Sequence, residues 1–415
     1  MKQYVIIGNG TAAVSCVEGI RSIDEKTPIT IVSEERYPAY CRPLISYYLE
    51  GKTDRNRMQY RPDNFYETNG CTVLYGKTAV HLSVRQKTVT LSDGQTLSYD
   101  ALCVATGSTP FVPPIPGLET VEKKYTFLKL DDALALEQAV TPDSRVLIAG
   151  AGLIGLKCAQ GLSERAKSIT VCDLADRVLS SILDNACAAR MQTVLEQHGI
   201  RFLLSDTAAR FDGNTAIMQS GEQIPFDVLV LAIGVRPNTA LVRESGGKIN
   251  RGILVDAQMR TSLPGVYAAG DCAEGMDISC GSSRVLAVLP NANLQGFCAG
   301  VNMAGGTKVF DNAIPMNAIG FFGLHALSAG SDRSDEPGGA VYEESDEWHL
   351  KRLFLKDDNL TGFMLIGDTA RAGIYTSLIR RQTPLHTLDF DRLKQTPTTA
   401  AFSKETRKKT FGGAV

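Results

Sequence analysis

This chain predicts an α/β fold of two doubly wound units, followed by a small α+β domain at the C-terminal end. Three observations predict it. A glycine fingerprint stands directly after a four-residue apolar run twice, as Gly8-Asn9-Gly10-Thr11-Ala12-Ala13 and as Gly150-Ala151-Gly152-Leu153-Ile154-Gly155. Each is followed, about twenty residues on, by a second apolar run that closes on an acid, Glu34 in one and Asp173 in the other. From about Asn312 the pattern changes to short aromatic-rich strands such as Ile319-Gly320-Phe321-Phe322, punctuated by Gly338-Gly339 and Asp357-Asp358-Asn359.

The apolar runs Tyr4-Val5-Ile6-Ile7 and Val146-Leu147-Ile148-Ala149 have the length of buried parallel strands, and helix-compatible sequence follows each fingerprint. In such a strand-turn-helix the first glycine makes the tight turn and the second lets backbone approach a diphosphate. The third lets helix pack on strand, and the helix N-terminus offers unpaired N–H groups to phosphate. Ala13 stands in the third place of the first unit. The acid is suited to ribose hydroxyls. Two such Rossmann-like units in one chain imply two dinucleotides with a hydride passed between them.

The first unit runs to an apolar strand, Asp100 to Ala105, that ends in the turn Thr106-Gly107. Pro110, Pro113, Pro114 and Pro116 then forbid regular structure and read as a domain crossover. The second unit closes on Asp227-Val228-Leu229-Val230-Leu231-Ala232-Ile233-Gly234, which echoes the end of the first and indicates an internal repeat. One more strand, Gly265 to Ala269, leads into Gly270-Asp271; Asp271 is either a site carboxylate or the N-cap of the next helix. A helix is expected from near Ala372 past Arg381. The domain reading is 1–112 with 246–308, then 113–245, a third domain at 309–390, and a solvated tail at 391–415.

At 415 residues, with 44% hydrophobic and 21% charged residues and a formal net charge of −2, the composition gives no reason to expect nucleic acid or an anionic membrane as partner. The first strand starts at Tyr4 and no 18-residue apolar stretch follows, so a cytoplasmic location is expected. Ten cysteines are scattered without a CxxC spacing, which argues against a zinc site, a cysteine-ligated cluster or a thioredoxin-type disulfide. No metal site is expected.

These motifs in this order resemble the flavoprotein family of two dinucleotide domains that includes pyridine nucleotide–disulfide reductases, NADH oxidases, rubredoxin and ferredoxin reductases and the flavin part of nitrite reductases. The resemblance extends over residues 1 to 385. It implies FAD on the first unit, at Gly8, Gly10, Thr11, Ala12, Glu34, Arg42, Pro43, Thr106 and Gly107. Gly270 and Asp271 would lie beneath the isoalloxazine, with Asn291, Ala292 and Gln295 at a helix start under the flavin pyrimidine. NAD(H) would bind at Gly150, Gly152, Leu153, Ile154, Asp173 and Gly234. Asp173 favours NADH, since an acid repels a 2′-phosphate, while Arg177 is near enough in sequence to offset that repulsion.

Two departures bear on the acceptor. Family members that work through a thiol pair carry CxxxxC after the first acid, whereas the stretch Tyr37 to Leu49 holds only Cys41, which excludes a paired dithiol. Cys41 stands where single-cysteine NADH oxidases and coenzyme A disulfide reductases place a redox thiol. Yet Arg42-Pro43-Leu44-Ile45-Ser46 resembles the Arg-Pro-Leu-Leu-Ser of thiol-independent members, and that is the reading adopted. The second departure is on the hydride-transfer face, where ferredoxin-reductase-like members place a lysine–glutamate pair and this chain has Tyr47 and Lys157. Lys157 is either a fixed charge beside flavin N5 or the nicotinamide, with Tyr47 packed on it, or a solvent-facing helix residue. The expected activity is NADH:acceptor oxidoreduction, with electrons passed to an iron–sulfur or rubredoxin-type protein. The chain is expected to stand free, as a homodimer, or as a subunit of a larger redox complex.

Overall fold

The computed structural model describes residues 2–411, with side chains described through Arg407. They divide into two compact units, one formed by residues up to Gly275 with Ala287–Phe310, the other by Met276–Leu286 with the residues from Asp311 on.

In the first unit, β1 (Tyr4–Ile7) enters α1 (Thr11–Arg21), and β2 (Ile29–Ser33), β3 (Cys71–Tyr75) and β4 (Ala101–Val104) follow. β1 pairs in parallel with β2 on one side and β4 on the other. All four β1 residues are buried, because helices or loops cover both faces of a parallel sheet and only apolar runs are tolerated there. β5 (Ser108–Pro110) leads out through the proline-rich crossover to β6 (Lys124–Thr126) and α2 (Leu130–Ala139).

The second half repeats the plan with β7 (Arg145–Ala149), α3 (Leu153–Leu162), β8 (Ser168–Asp173), β9 (Ile200–Leu204) and β10 (Val228–Leu231), in the sheet order β9-β8-β7-β10-β6. The chain returns along β11 (Val235–Pro237), which pairs antiparallel with β5, so the outgoing and returning crossovers lie side by side. β12 (Val266–Ala268) then completes the first sheet beside β4.

α4 (Leu289–Met303) packs against α1 through glycines. A Cβ on Gly300 would stand 2.1 Å from the Cys16 carbonyl oxygen, and one on Gly296 would stand 2.1 Å from that of Ala12. These two helices therefore touch backbone to backbone. Their N-termini are held at the same end of the sheet, where β4 and β12 also finish.

The second unit is a five-stranded antiparallel sheet built from β13 (Met316–Phe321), β14 (Leu324–Gly330), β15 (Gly339–Ser345), β16 (Leu350–Lys356) and β17 (Asn359–Ile366), in the order β13-β14-β17-β16-β15. α5 (Gly373–Arg381) buries Tyr375, Leu378 and Ile379 in the core of this unit. Among the described residues no helix is long and apolar enough to cross a membrane.

Three segments pack elsewhere than the domain reading places them. The segment 276–286, read as part of 246–308, belongs to the second unit. There the fully buried Asp277 carboxylate accepts from Ser279 N and Oγ and pairs with Arg284, and Ile278 N donates to Ala313 O. The stretch read as a tail from 391 contributes α6 (Phe390–Gln395) and buries Leu393, Ala401 and Phe402 in the second core. Ser403, Lys404 and Glu405 are exposed, and the chain is helical over Lys404–Phe411. Finally, Val242, read within 113–245, packs with Val5, Leu82 and Val89 in the core under the first sheet.

Candidate functional site

A cavity of about 400 Å³ opens at the carboxyl ends of the first sheet. Gly8 sits at φ +112°, and a Cβ there would lie 2.1 Å from Ala105 O, so only glycine makes this turn. Gly10 differs: no protein atom lies within 4 Å of where its Cβ would be, and its backbone borders the cavity. Thr11 and Ala12 open α1 with no side-chain cap, so the helix N-terminus presents its own amides and partial positive charge to the cavity. An open second glycine before an uncapped helix start fits a diphosphate cradle.

Three cations line this cavity: Arg42 and Lys77, which pairs with Asp93, come from the first half of the unit, and Lys129 from the second. Arg42 pairs with Glu35, whose other oxygen accepts from Tyr40 OH at 2.7 Å; Tyr40 OH in turn accepts from Leu130 N at 2.8 Å. Lys129 Nζ lies 2.9 Å from Glu34, whose carboxylate is otherwise exposed. Glu35, Tyr40 and Lys129 did not stand out in the sequence. Glu35 merely doubles Glu34, and Lys129 precedes a helix 95 residues beyond its partner.

The opposite wall carries Thr106, Gly107, Gly270, Asp271 and Ala292. Gly107 at φ +64° has no protein atom within 4 Å of a notional Cβ. Asn238 Nδ2 donates to Thr106 O at 2.9 Å and thereby ties the returning crossover to this wall. Burial pushes the Asp271 carboxyl up, and the Arg42 charge and a bond from Ser108 oppose it. Asn291 and Gln295 are buried; Gln295 Oε1 accepts from Gly270 N at 2.8 Å and so holds the Gly270 turn against α4. Pro43 stands in the one-turn helix Arg42–Leu44, outside the cavity lining.

The second fingerprint repeats the geometry. Gly150 lies at φ +115° with a notional Cβ 2.3 Å from Ala232 O, Gly155 would clash with Gly150 O at 2.0 Å, and Gly152 and Gly234 face open space. Leu153 and Ile154 begin α3. Asp173 accepts from Ala151 N at 2.6 Å and from Ala175 N at 2.8 Å, so its carboxylate is fixed at the rim of the glycine turn. Arg177 is committed elsewhere: it donates to Asp176 at 2.8 Å and to the carbonyls of Ser180 and Leu183.

Lys157 and Tyr47 meet as expected of neighbours: Nζ lies 5.3 Å from the Tyr47 ring centroid and 2.9 Å from Gln160 Oε1. Burial lowers the Lys157 pKa to about 8, with Glu50 raising it and Lys52 lowering it further. Cys41 is half-buried; burial pushes its thiol up, while a bond from Leu44 N acts the other way. Cys41, Tyr47 and Lys157 are not among the residues that line the 400 Å³ cavity.

Two family models match along the chain. The model of the family described as pyridine nucleotide-disulphide oxidoreductase matches residues 2–296, and that of the rubredoxin NAD+ reductase C-terminal domain matches residues 315–383. The chain is 32% identical to the NADH-dependent phenylglyoxylate dehydrogenase subunit epsilon of Aromatoleum evansii, over 92% of each protein. It is also 32% identical to the assimilatory nitrate reductase electron transfer subunit of Bacillus subtilis, over 89% of this chain but 48% of that protein, so it spans about half of that relative. Putidaredoxin reductase, solved in covalent complex with putidaredoxin, superposes with a TM-score of 0.87 over 96% of this chain and 99% of that one at 21% identity, a likeness of fold.

Proposed function

Since the chain belongs to the pyridine nucleotide-disulphide oxidoreductase family and is an FAD-dependent NAD(P)H oxidoreductase, we propose that it draws electrons from NADH and passes them singly to an iron–sulfur or rubredoxin-type protein. Bound FAD supplies the two-electron to one-electron conversion, which no side chain here can perform. The observation that carries the acceptor is the state of Cys41, which precedes the cavity residue Arg42: its burial disfavours the thiolate that disulfide chemistry needs.

In this reading the Gly10 turn, the α1 amides, Arg42 and Lys129 balance the charge of the FAD diphosphate, and Glu34 takes the adenosine ribose. Asp271 and the start of α4 orient the flavin end. The Gly152 turn and the amides at Leu153 and Ile154 take the NADH diphosphate, and Asp173 takes its ribose. Arg177 is engaged by Asp176 and two carbonyls, so it is held away from a 2′-phosphate, which supports NADH over NADPH. Lys157, steadied by Gln160 and the Tyr47 ring, is a fixed positive charge for the nicotinamide carboxamide. The relatives named as subunits support the further reading that the chain works within a larger cytoplasmic redox complex.

The test is anaerobic stopped-flow reduction of the purified yellow protein by NADH, then mixing with rubredoxin, ferredoxin or coenzyme A disulfide, in wild type and Cys41→Ser. Rapid bleaching with fast reoxidation by the iron–sulfur proteins in both forms is expected. Reoxidation by the disulfide alone, lost in Cys41→Ser, would overturn the proposal and make Cys41 the redox thiol.

A further inference from the structure

The two halves of the first unit are joined covalently through the crossovers β5 and β11, a narrow antiparallel pair. A two-stranded ribbon by itself is a weak brace against rotation. A second contact opposes such a turn. It lies between the short helix Ile45–Leu49 of the first half and the helices α2 and α3 of the second.

Glu137 on α2 is the centre of that contact. Its Oε2 accepts from Tyr48 OH at 2.7 Å, its Oε1 lies 3.6 Å from Arg165 Nη2, and Arg55 lies against the same tyrosine hydroxyl. Arg165 Nε in turn donates to Leu49 O at 2.5 Å. Beside this network α3 meets the short helix at close range: a Cβ on Gly161 would stand 3.0 Å from both Leu49 Cβ and Ser46 O. Lys157 lies one turn before Gly161 on α3, and Tyr47 precedes Tyr48, so the pair on the hydride-transfer face spans this same contact. Glu137, Tyr48 and Arg165 are not among the residues that line the 400 Å³ cavity.

We propose that Glu137 is a positioning residue for hydride transfer. By holding Tyr48 and Arg165 together it fixes α3 against the short helix, and thereby fixes the distance from nicotinamide to flavin. The inference rests on the reading that NADH occupies the Gly152 turn, which opens α3. Hydride transfer needs its reacting atoms about 3–3.5 Å apart, and a misplacement of about 1 Å costs about 100-fold in rate. Gly161 and Arg165 lie at the far end of α3 from that turn. A loosened clamp therefore swings the helix and moves the nicotinamide without altering any residue that binds it.

The full-length holoprotein and its variants Glu137→Leu, Glu137→Gln and Tyr48→Phe are reduced anaerobically by NADH at a series of concentrations. Glu137→Leu should lower the limiting rate of flavin reduction about 10- to 100-fold, with the NADH dissociation constant at its wild-type value. Glu137→Gln keeps an oxygen for Tyr48 and should recover most of the rate. Adding Tyr48→Phe to Glu137→Leu should cost nothing further, because both remove the same bond. The long-wavelength absorbance of NAD+ stacked on reduced flavin should weaken in Glu137→Leu, a readout that a general loss of stability does not move. Hydrogen exchange over residues 45–50, measured without nucleotide, should quicken in the same variant. An unchanged limiting rate despite faster exchange, or a loss seen in the dissociation constant alone, would overturn the inference and leave the NADH reading standing. Wild-type NADH affinity in Asp173→Asn would overturn both.

Discussion

Asp173 is the residue on which nucleotide choice should turn. Its carboxylate holds the amides of Ala151 and Ala175, and in the proposed reading it also receives two ribose hydroxyls. Hydrogen bonds to a charged acceptor are worth about 1.5–3 kcal/mol, so losing the charge should lower the kcat/KM for flavin reduction by NADH about 10- to 150-fold. Asp173→Asn keeps an oxygen for Ala151 N and isolates the charge, whereas Asp173→Ala also frees the glycine turn and should cost more. NADPH escapes repulsion in both variants, so the NADH:NADPH ratio of kcat/KM should fall further than NADH activity itself. Stopped-flow reduction with each nucleotide, alongside thermal midpoints, separates the two roles. An unchanged ratio in both variants, or a wild type that uses NADPH as well as NADH, would refute the argument.

Lys157, with its pKa lowered to about 8, is charged below that pH and neutral above it. The rate of flavin reduction by NADH should therefore fall as pH rises through about 8. Lys157→Met should be slower and flat over that range, and an unchanged rate in the variant would remove the role. The sign for folding is opposite: the cost of burying this charge is present below pH 8 and is relieved as pH rises, so stability should improve slightly on that side, which urea unfolding at two pH values can check. Gly300→Ala places a Cβ 2.1 Å from Cys16 O. Overpacking of about 1–3 kcal/mol should lower the thermal midpoint by about 2–10 °C and weaken FAD retention, because α1 and α4 start the cofactor wall together. An unchanged midpoint would mean that the two helices separate at no cost.

Much of the first unit was legible because its signals are local. An apolar run, a glycine spacing and an acid one strand later all lie within about 30 residues, and the structure puts Gly8, Gly10, Glu34, Gly107 and Asp271 around one cavity. The juxtaposition of Tyr47 and Lys157 was readable from the family pattern. What the sequence concealed depends on contacts far apart in the chain. Lys129 meets Glu34 and Tyr40 meets Leu130 only after the second half has folded back on the first. Segment 276–286 joins the second unit through Ile278 N to Ala313 O and through Ser279 and Arg284 to Ser331, around a buried Asp277 that looks like any surface acid in the sequence. The stretch after 390 looked like a solvated tail because its buried residues, Leu393, Ala401 and Phe402, are too few and too widely spaced to show a helical period.

The side-by-side crossovers β5 and β11 also set an order of events during synthesis. The central sheet of the second half is complete once residue 231 is made, from strands that lie between 124 and 231. The first sheet must wait for β12 at 266–268, and its covering helix α4 for residue 303. On the ribosome the half encoded later can therefore close first, while the earlier half holds β4 with one flank unpaired. A pause or truncation between 235 and 266 would leave an intact nucleotide fold tethered to an open, strongly apolar sheet edge, the kind of species that chaperones capture.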